Sequence, residues 1–197
     1  LAKLRHIMEN DKPFVWFIIS TTVRSFGATI MAAAFYTVYA IQVLQTGLNQ
    51  VGLFMGIMFS TQLIGALIFG YINDLTGPKR IQIMERLFEF LSVGVLLWQP
   101  NIIGVYCAFG FLGLAVATMM ISYHNMIIEL APCEDVDTYM GLINSIRAIS
   151  LALAPMIGGF LADRVSYTPV FIIAMVSSLL SALIFILKVK PQRSVLT

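Results

Sequence analysis

Apolar positions along the chain gather into six long runs: Phe14–Leu44, Leu48–Asn73, Ile81–Trp98, Ile102–Leu130, Thr138–Ala162 and Thr168–Val189. Each has the roughly 17–25 residues that a helix needs to cross the hydrocarbon layer of a bilayer. The alternating segments of about ten residues that build a membrane barrel do not recur, so helices are expected rather than strands. The punctuation fits this pattern. Pro13 suits the first turn of the first helix, where its missing N–H costs nothing, and Pro169 can open the last helix. Asn101, in Gln99-Pro100-Asn101, is a candidate cap for the fourth run. Thr46-Gly47-Leu48-Asn49 reads as a short turn. Pro155 lies inside the fifth run, a position that membrane helices tolerate and at which a kink is expected.

Composition strengthens the reading. Hydrophobic residues make up 59% of the chain and charged residues 11%, against about 25% charged in an average soluble domain. A soluble fold could not cover that much apolar surface, whereas a lipid-facing one need not. The net charge of +2 says little, but its distribution says more. Lys3, Arg5, Lys12, Lys79, Arg80, Lys188, Lys190 and Arg193 all fall on one side if six spans alternate, and Arg164 stands alone on the other. The positive-inside rule then puts both termini in the cytoplasm. Glu134, Asp135 and Asp137 share that side, but acidic residues weigh little in the rule. Cys107 and Cys133, one in an apolar run and one in a loop, do not suggest a disulfide framework. The chain begins with Leu1 and no signal core precedes the first run, so the N-terminus is expected to be a truncation or a domain boundary.

A weak internal repeat is present. Laying Gly52 on Gly141 pairs, at one constant offset, Leu53 with Leu142, Ile57 with Ile146, Ile68 with Ile157, Gly70 with Gly159 and Asp74 with Asp163. Runs one to three would then copy runs four to six. An odd number of spans per copy gives the copies opposite orientations, an arrangement found in transporters.

The most specific motif is Gly70-Tyr71-Ile72-Asn73-Asp74-Leu75-Thr76-Gly77-Pro78-Lys79-Arg80. Gly70 permits close helix approach, Gly77 a turn with positive φ, and Lys79 and Arg80 anchor the loop at the cytoplasmic surface. The motif resembles the loop signature of the major facilitator superfamily, G-x-x-x-D-x-x-G-x-R/K-R/K, at Gly70, Asp74, Gly77, Lys79 and Arg80. Ala154-Pro155-Met156-Ile157-Gly158-Gly159-Phe160-Leu161-Ala162-Asp163-Arg164 is similar to the family's penultimate-helix ending. Tyr139-Met140-Gly141-Leu142-Ile143-Asn144 is similar to the start of the eleventh helix in bacterial members. The resemblance covers nearly the whole chain. It implies an all-α integral membrane fold: six transmembrane helices in two inverted three-helix repeats, half of a twelve-helix protein, with the C-terminal half favoured. Residues 1–12 would be a cytoplasmic linker, 13–190 the bundle and 191–197 a cytoplasmic tail. The N-terminal six-helix half would be its partner, in the cell (inner) membrane.

Charges within the spans are the candidate chemistry. Arg24 and Arg147 both lie well inside their helices, where an arginine facing lipid would cost several kcal/mol. Asn144 and Arg147 share a face with Ser150 and Ala154, and Thr118, Ser122, Asn125 and Glu129 form a second polar stripe. In the family, the first, second, fourth and fifth helices of each half line the central cavity. The resemblance thus makes Arg24, Gln62, Asn125, Asn144 and Arg147 cavity candidates, although both arginines read equally as structural charges paired with acids of the other half. Glu129 and Asp163 are candidates for a gate or salt bridge. Glu89, with Glu85 and Arg86 near it, could carry a proton, but the third helix is peripheral in the family. His124, Phe35, Tyr36 and Tyr39 read as packing residues, and Gly52, Gly56 and Ser60 as a helix-packing stripe.

No phosphate loop, His-Glu-x-x-His, zinc-spaced cysteine pair or nucleophile elbow occurs, so an enzyme is not expected. No basic patch interleaved with aromatics points to nucleic acid. The expected function is secondary active transport of a small solute by alternating access. Arg24 and Arg147 would favour an anionic or polar substrate, while Asp74, Lys79 and Arg80 would set the conformational equilibrium. No cofactor or metal is implied, and coupling to protons or sodium stays open. The alternatives are a membrane sensor or scaffold that reuses the fold and a six-helix half that transports as a homodimer.

Overall fold

The computed structural model describes residues 7–30 and 33–190. Residues 1–6 of the expected linker, with Lys3 and Arg5, and the expected tail 191–197, with Arg193, lie outside the described residues. The helices are α1 (Lys12–Ile30), α2 (Ala33–Gln42), α3 (Leu48–Thr76), α4 (Pro78–Trp98), α5 (Ile102–Leu130), α6 (Val136–Arg164) and α7 (Tyr167–Lys188). The first expected run is thus described as two helices, α1 and α2, with residues 31 and 32 between them outside the description. No strand occurs among the described residues.

Local chemistry explains the boundaries. The Phe14 N–H donates to Asp11 Oδ1 at 3.1 Å, closing the start of α1. The expected cap at Asn101 forms, its Oδ1 accepting from the Gly104 N–H at 2.9 Å. Gly77 takes φ +80° between α3 and α4, in the region that favours glycine, and its N–H donates to the Asn73 carbonyl at 2.8 Å. Pro78 then opens α4 at the position where a missing N–H is harmless. α6 continues through Pro155 as one unbroken helix.

Among the described residues, five segments are long and apolar enough to cross a membrane: Lys12–Gln42, α3, α5, α6 and α7. α4, the third expected span, does not join them on composition. It carries Lys79, Arg80, Glu85, Arg86 and Glu89. Its surroundings accommodate them, because α4 packs most heavily on α5 and also on α7.

The other main packing pairs are α3 on α5, α1 on α7 and α1 on α6. At the α3–α5 crossing a Cβ on Gly113 would collide with Thr61 Oγ1 and the Met58 carbonyl, so only glycine fits there. α3 and α6 are the least enclosed helices. Leu63, Leu67 and Met156 are among the large apolar side chains they leave exposed, as suits a surface that meets lipid or another helix bundle.

Two apolar cores occupy opposite ends of the bundle. One gathers Ile30, Tyr36, Phe54, Val93, Phe109 and Phe171. The other gathers Phe14, Phe17, Met126, Ile143 and Phe185. Between them lies a buried polar layer that includes Ser20, Thr21, Arg24, Ser25, Gln82, Glu85, Arg86, Thr118, Ser122, Ser178 and Ser181.

Candidate functional site

The polar layer has a closed part and an open part. The closed part is a seam where α1, α4 and α7 meet. Arg86 is fully buried at its centre. Its Nε donates to Ser181 Oγ at 2.9 Å, and its Nη1 to the Gln82 carbonyl at 2.6 Å and to Gln82 Oε1 at 2.8 Å. Its Nη2 donates to Ser20 Oγ at 3.2 Å, and its plane lies 4.2 Å from the Phe185 ring centroid. Gln82 Nε2 passes the network on to Ser122 Oγ at 3.1 Å, and Ser178 Oγ donates to the Arg86 carbonyl at 2.8 Å. Three helices are stitched through one guanidinium whose donors are nearly all satisfied.

Arg24 joins the seam to the open part. Its Nη1 lies 2.6 Å from Glu89 Oε1 and 2.9 Å from Glu85 Oε1, and its Nη2 approaches Met119 Sδ at 3.6 Å. Glu85 also lies 3.6 Å from Arg86 Nη1. Two carboxylates and two guanidiniums therefore balance within this chain. The possible partnership of Arg24 with acids of another half is not needed: its acids come from α4.

The open part is a cavity of about 350 Å³ bounded by α1, α3, α4, α5 and α6. Arg24, Ser25, Glu89, Met119 and Arg147 line it, with Met58, Leu112 and Leu151 as apolar walls. Arg147 continues into a second, adjoining hollow of about 540 Å³ with Met119, Met120, Tyr123, His124 and Asn144. Its Nε donates to Ser25 Oγ at 2.9 Å, and its guanidinium lies 4.6 Å from the Tyr123 ring centroid. Tyr123 Oη donates to Asn144 Oδ1 at 2.9 Å. Among the described residues Arg147 has no carboxylate partner, and only its Nε donates a hydrogen bond.

Of the cavity residues expected from sequence, Arg24, Asn144 and Arg147 thus come together around these hollows. Gln62 reaches them at one remove, its Nε2 3.3 Å from Met120 Sδ. Asn125 is exposed and lines neither hollow. Glu129 is half-buried with the charge of Lys79 acting on it, and Asp163 is exposed; no ion pair joins either among the described residues. Sequence reasoning passed over Ser25, Tyr123 and Met119, which read as ordinary span residues, and set the acids of α4 at the periphery. The available signal was charge balance: Glu85, Arg86 and Glu89 crowd one turn of a span and leave one negative charge for a distant arginine to meet.

A family model described as Major Facilitator Superfamily matches residues 17–197. The chain belongs to the Major Facilitator Superfamily. An uncharacterised MFS-type transporter of Methanocaldococcus jannaschii is 25% identical over 185 residues, 93% of this chain and 46% of that protein. The tetracycline resistance protein, class H, of Pasteurella multocida is 25% identical over 126 residues, 64% of this chain and 31% of that protein. A lysosomal dipeptide transporter of Homo sapiens is 28% identical over 132 residues, 64% of this chain and 27% of that protein. The chain spans less than half the length of these curated relatives.

Within this member of the superfamily, the loop signature sits at the end of the bundle that holds the second apolar core. Lys79 Nζ donates to the Val189 carbonyl at 2.7 Å, tying the α3–α4 loop to the end of α7. Arg80, Asp74 and Gly70 line no hollow described above, and Arg80 and Asp74 are exposed. Helix number, apolarity and family together make the protein a multi-pass membrane protein.

Proposed function

We propose that the chain is one six-helix half of a secondary active transporter that moves a small anionic solute by alternating access. Its bundle is residues 13–190, built as two inverted three-helix repeats, with α4 as the third span. The packing supports the repeats: exchanging the first three spans for the last three turns α4 on α5 into α7 on α1, and α3 on α5 into α6 on α1, both of them main contacts. The short length relative to its relatives supports a second half, for which the thinly enclosed faces of α3 and α6 are the natural seat. Lys12, Lys79, Arg80, Lys188 and Lys190 share one side of the alternating spans, which supports cytoplasmic termini in the cell's inner membrane.

One observation carries the substrate reading. Arg147 offers a cation with free donors to a hollow between the two apolar cores. A half-buried cation inside a membrane span without a counter-ion is costly, and a bound anion supplies one. Methionine and leucine walls suit an anion with an apolar body. Arg24, matched by its own acids, does not need that role.

The test is thermal unfolding of the purified full-length protein with a panel of organic mono- and dicarboxylates, alongside a dipeptide and tetracycline, the solutes named for two relatives. A ligand that binds the native state raises the midpoint by mass action. At least one carboxylate should do so, and R147Q should abolish the shift while keeping the ligand-free midpoint near that of the parent. Stabilisation by neutral solutes alone, or a carboxylate shift that survives R147Q, would remove the anion site.

A further inference from the structure

We propose that Glu89 is a proton-binding site, and that its protonation favours anion binding at Arg147 in the same cavity. The proton part stands on the geometry alone, while the anion part rests on the function proposed above.

The two acids of the cluster are not equivalent. Glu85 is fully enclosed and lies between Arg24 and Arg86. Glu89 is 12% exposed, has Arg24 as its one ion-pair partner among the described residues and lines the cavity. Both carboxylates meet at a single nitrogen, Arg24 Nη1. Like charges that share a site oppose each other, so a proton entering the pair relieves their repulsion, and only Glu89 has an open route to water.

The neighbours of Glu89 leave few competitors. α1 presents Arg24, and α4 itself presents Glu85 and Arg86. Tyr36 of α2 lines a small pocket with Glu89, and its hydroxyl is bonded to Ser92 Oγ at 2.9 Å. α6 brings Arg147 to the shared cavity. The residues that α3, α5 and α7 bring to these walls are Met58, Leu112, Ala115, Val116, Met119, Ala174 and Ser178, none of which titrates.

Charge counting supplies the coupling. With Glu89 ionised, the cluster sums to zero and Arg147 is the cavity's unmatched cation. When Glu89 takes a proton from cavity water, the cluster becomes +1 and Arg24 is left to Glu85. The cavity wall then holds an additional positive charge opposite the place where an anion would sit. One proton and one monoanion enter together with no net charge change. By linkage, a bound anion strengthens proton binding by the same factor that the proton strengthens anion binding.

The test needs no substrate. Infrared difference spectra of the purified full-length protein, taken across about pH 5 to 9, the range that brackets buried carboxyl titration, read the carbonyl stretch of a protonated carboxylic acid. The parent should show a band that grows as pH falls, sensitive to exchange into heavy water. E89Q should lose it and E129Q should keep it. If E89Q fails to fold, E89D should retain a band at a shifted position. In R147Q the band should persist to higher pH, because one positive neighbour is gone. A band unchanged in E89Q, or absent in the parent, overturns the proton site; a titration indifferent to R147Q overturns the coupling. A Glu89 band without any stabilising anion would instead fault the substrate reading, and a stabilising anion without that band would fault this one.

Discussion

Arg86 in the seam and Arg147 in the cavity are the same side chain at comparable places between the two cores, yet they are treated in opposite ways. Arg86 spends its donors on Ser181, Gln82 and Ser20, lies on Phe185 and has Glu85 beside it. Arg147 spends one donor on Ser25, lies on Tyr123 and turns the rest to open space. The difference teaches how to read a charge inside a membrane bundle. A cation whose donors are exhausted by its own chain holds helices together, whereas a cation with donors in reserve is placed for something that comes and goes. Arg24 stands between the two, paired like the first and bordering the cavity like the second.

The largest effect that could break this comparison comes from the seam. R86M removes one partner of a buried charge set and leaves the acids facing Arg24 alone. Losing one side of a buried pair costs about 3–5 kcal/mol. R147Q, by contrast, gives up one hydrogen bond and a ring contact, about 1–2 kcal/mol. Chemical denaturation of the full-length protein should therefore rank R86M far below R147Q. Adding E85Q to R86M should recover part of the loss, because the cluster is neutral again. If the two arginines cost the same, or the double variant is no better than R86M, the seam is not a charge-balanced unit.

How much of this was legible before the structure follows the range of the forces involved. Caps and turns are local, and Asn101 and Gly77 behave as their neighbours in sequence dictate. Span positions follow from apolarity, and α4 is the exception because its charges are answered by tertiary packing. The depth of Arg24 and Arg147 could be counted along the helix, but their opposite fates could not. Which acid meets Arg24 depends on α1 and α4 both packing against α7, so that their long side chains reach each other, a fact set by packing across the bundle. The polar stripe on α5 divided for the same reason: Ser122 turned into the seam toward Gln82, while Asn125 was left exposed outside both hollows.

A second, smaller contrast sharpens the difference between enclosed and open faces. Gly113 sits where α5 meets α3, and any Cβ there meets Thr61 and the Met58 carbonyl. G113A should cost about 1–3 kcal/mol through overpacking. Gly56, on the outer side of α3, has nothing within 4 Å of a Cβ. Within this bundle G56A should be neutral or gain up to about 1 kcal/mol from helix propensity. Measured in the full-length protein, a clear loss for G56A would mark that face as one the second half packs against.

The smallest expected effect lies at the signature loop, where the same distinction between satisfied and spare donors recurs in miniature. Lys79 donates to the Val189 carbonyl, one of the groups that the end of α7 leaves without an intrahelical partner. A cation there also suits the negative end of the helix dipole. K79M should lower stability by about 0.5–1.5 kcal/mol, while R80M, which removes an exposed neighbour of the same charge, should change it by much less. Because both substitutions remove one positive charge from adjacent positions, a general electrostatic effect would move them together. A separation between them, read by thermal unfolding at raised salt to suppress long-range charge effects, isolates the single hydrogen bond. Coincident midpoints would mean that the loop touches α7 without holding it, and the signature lysine would then share the unspent character of Arg147 rather than the fastening role of Arg86.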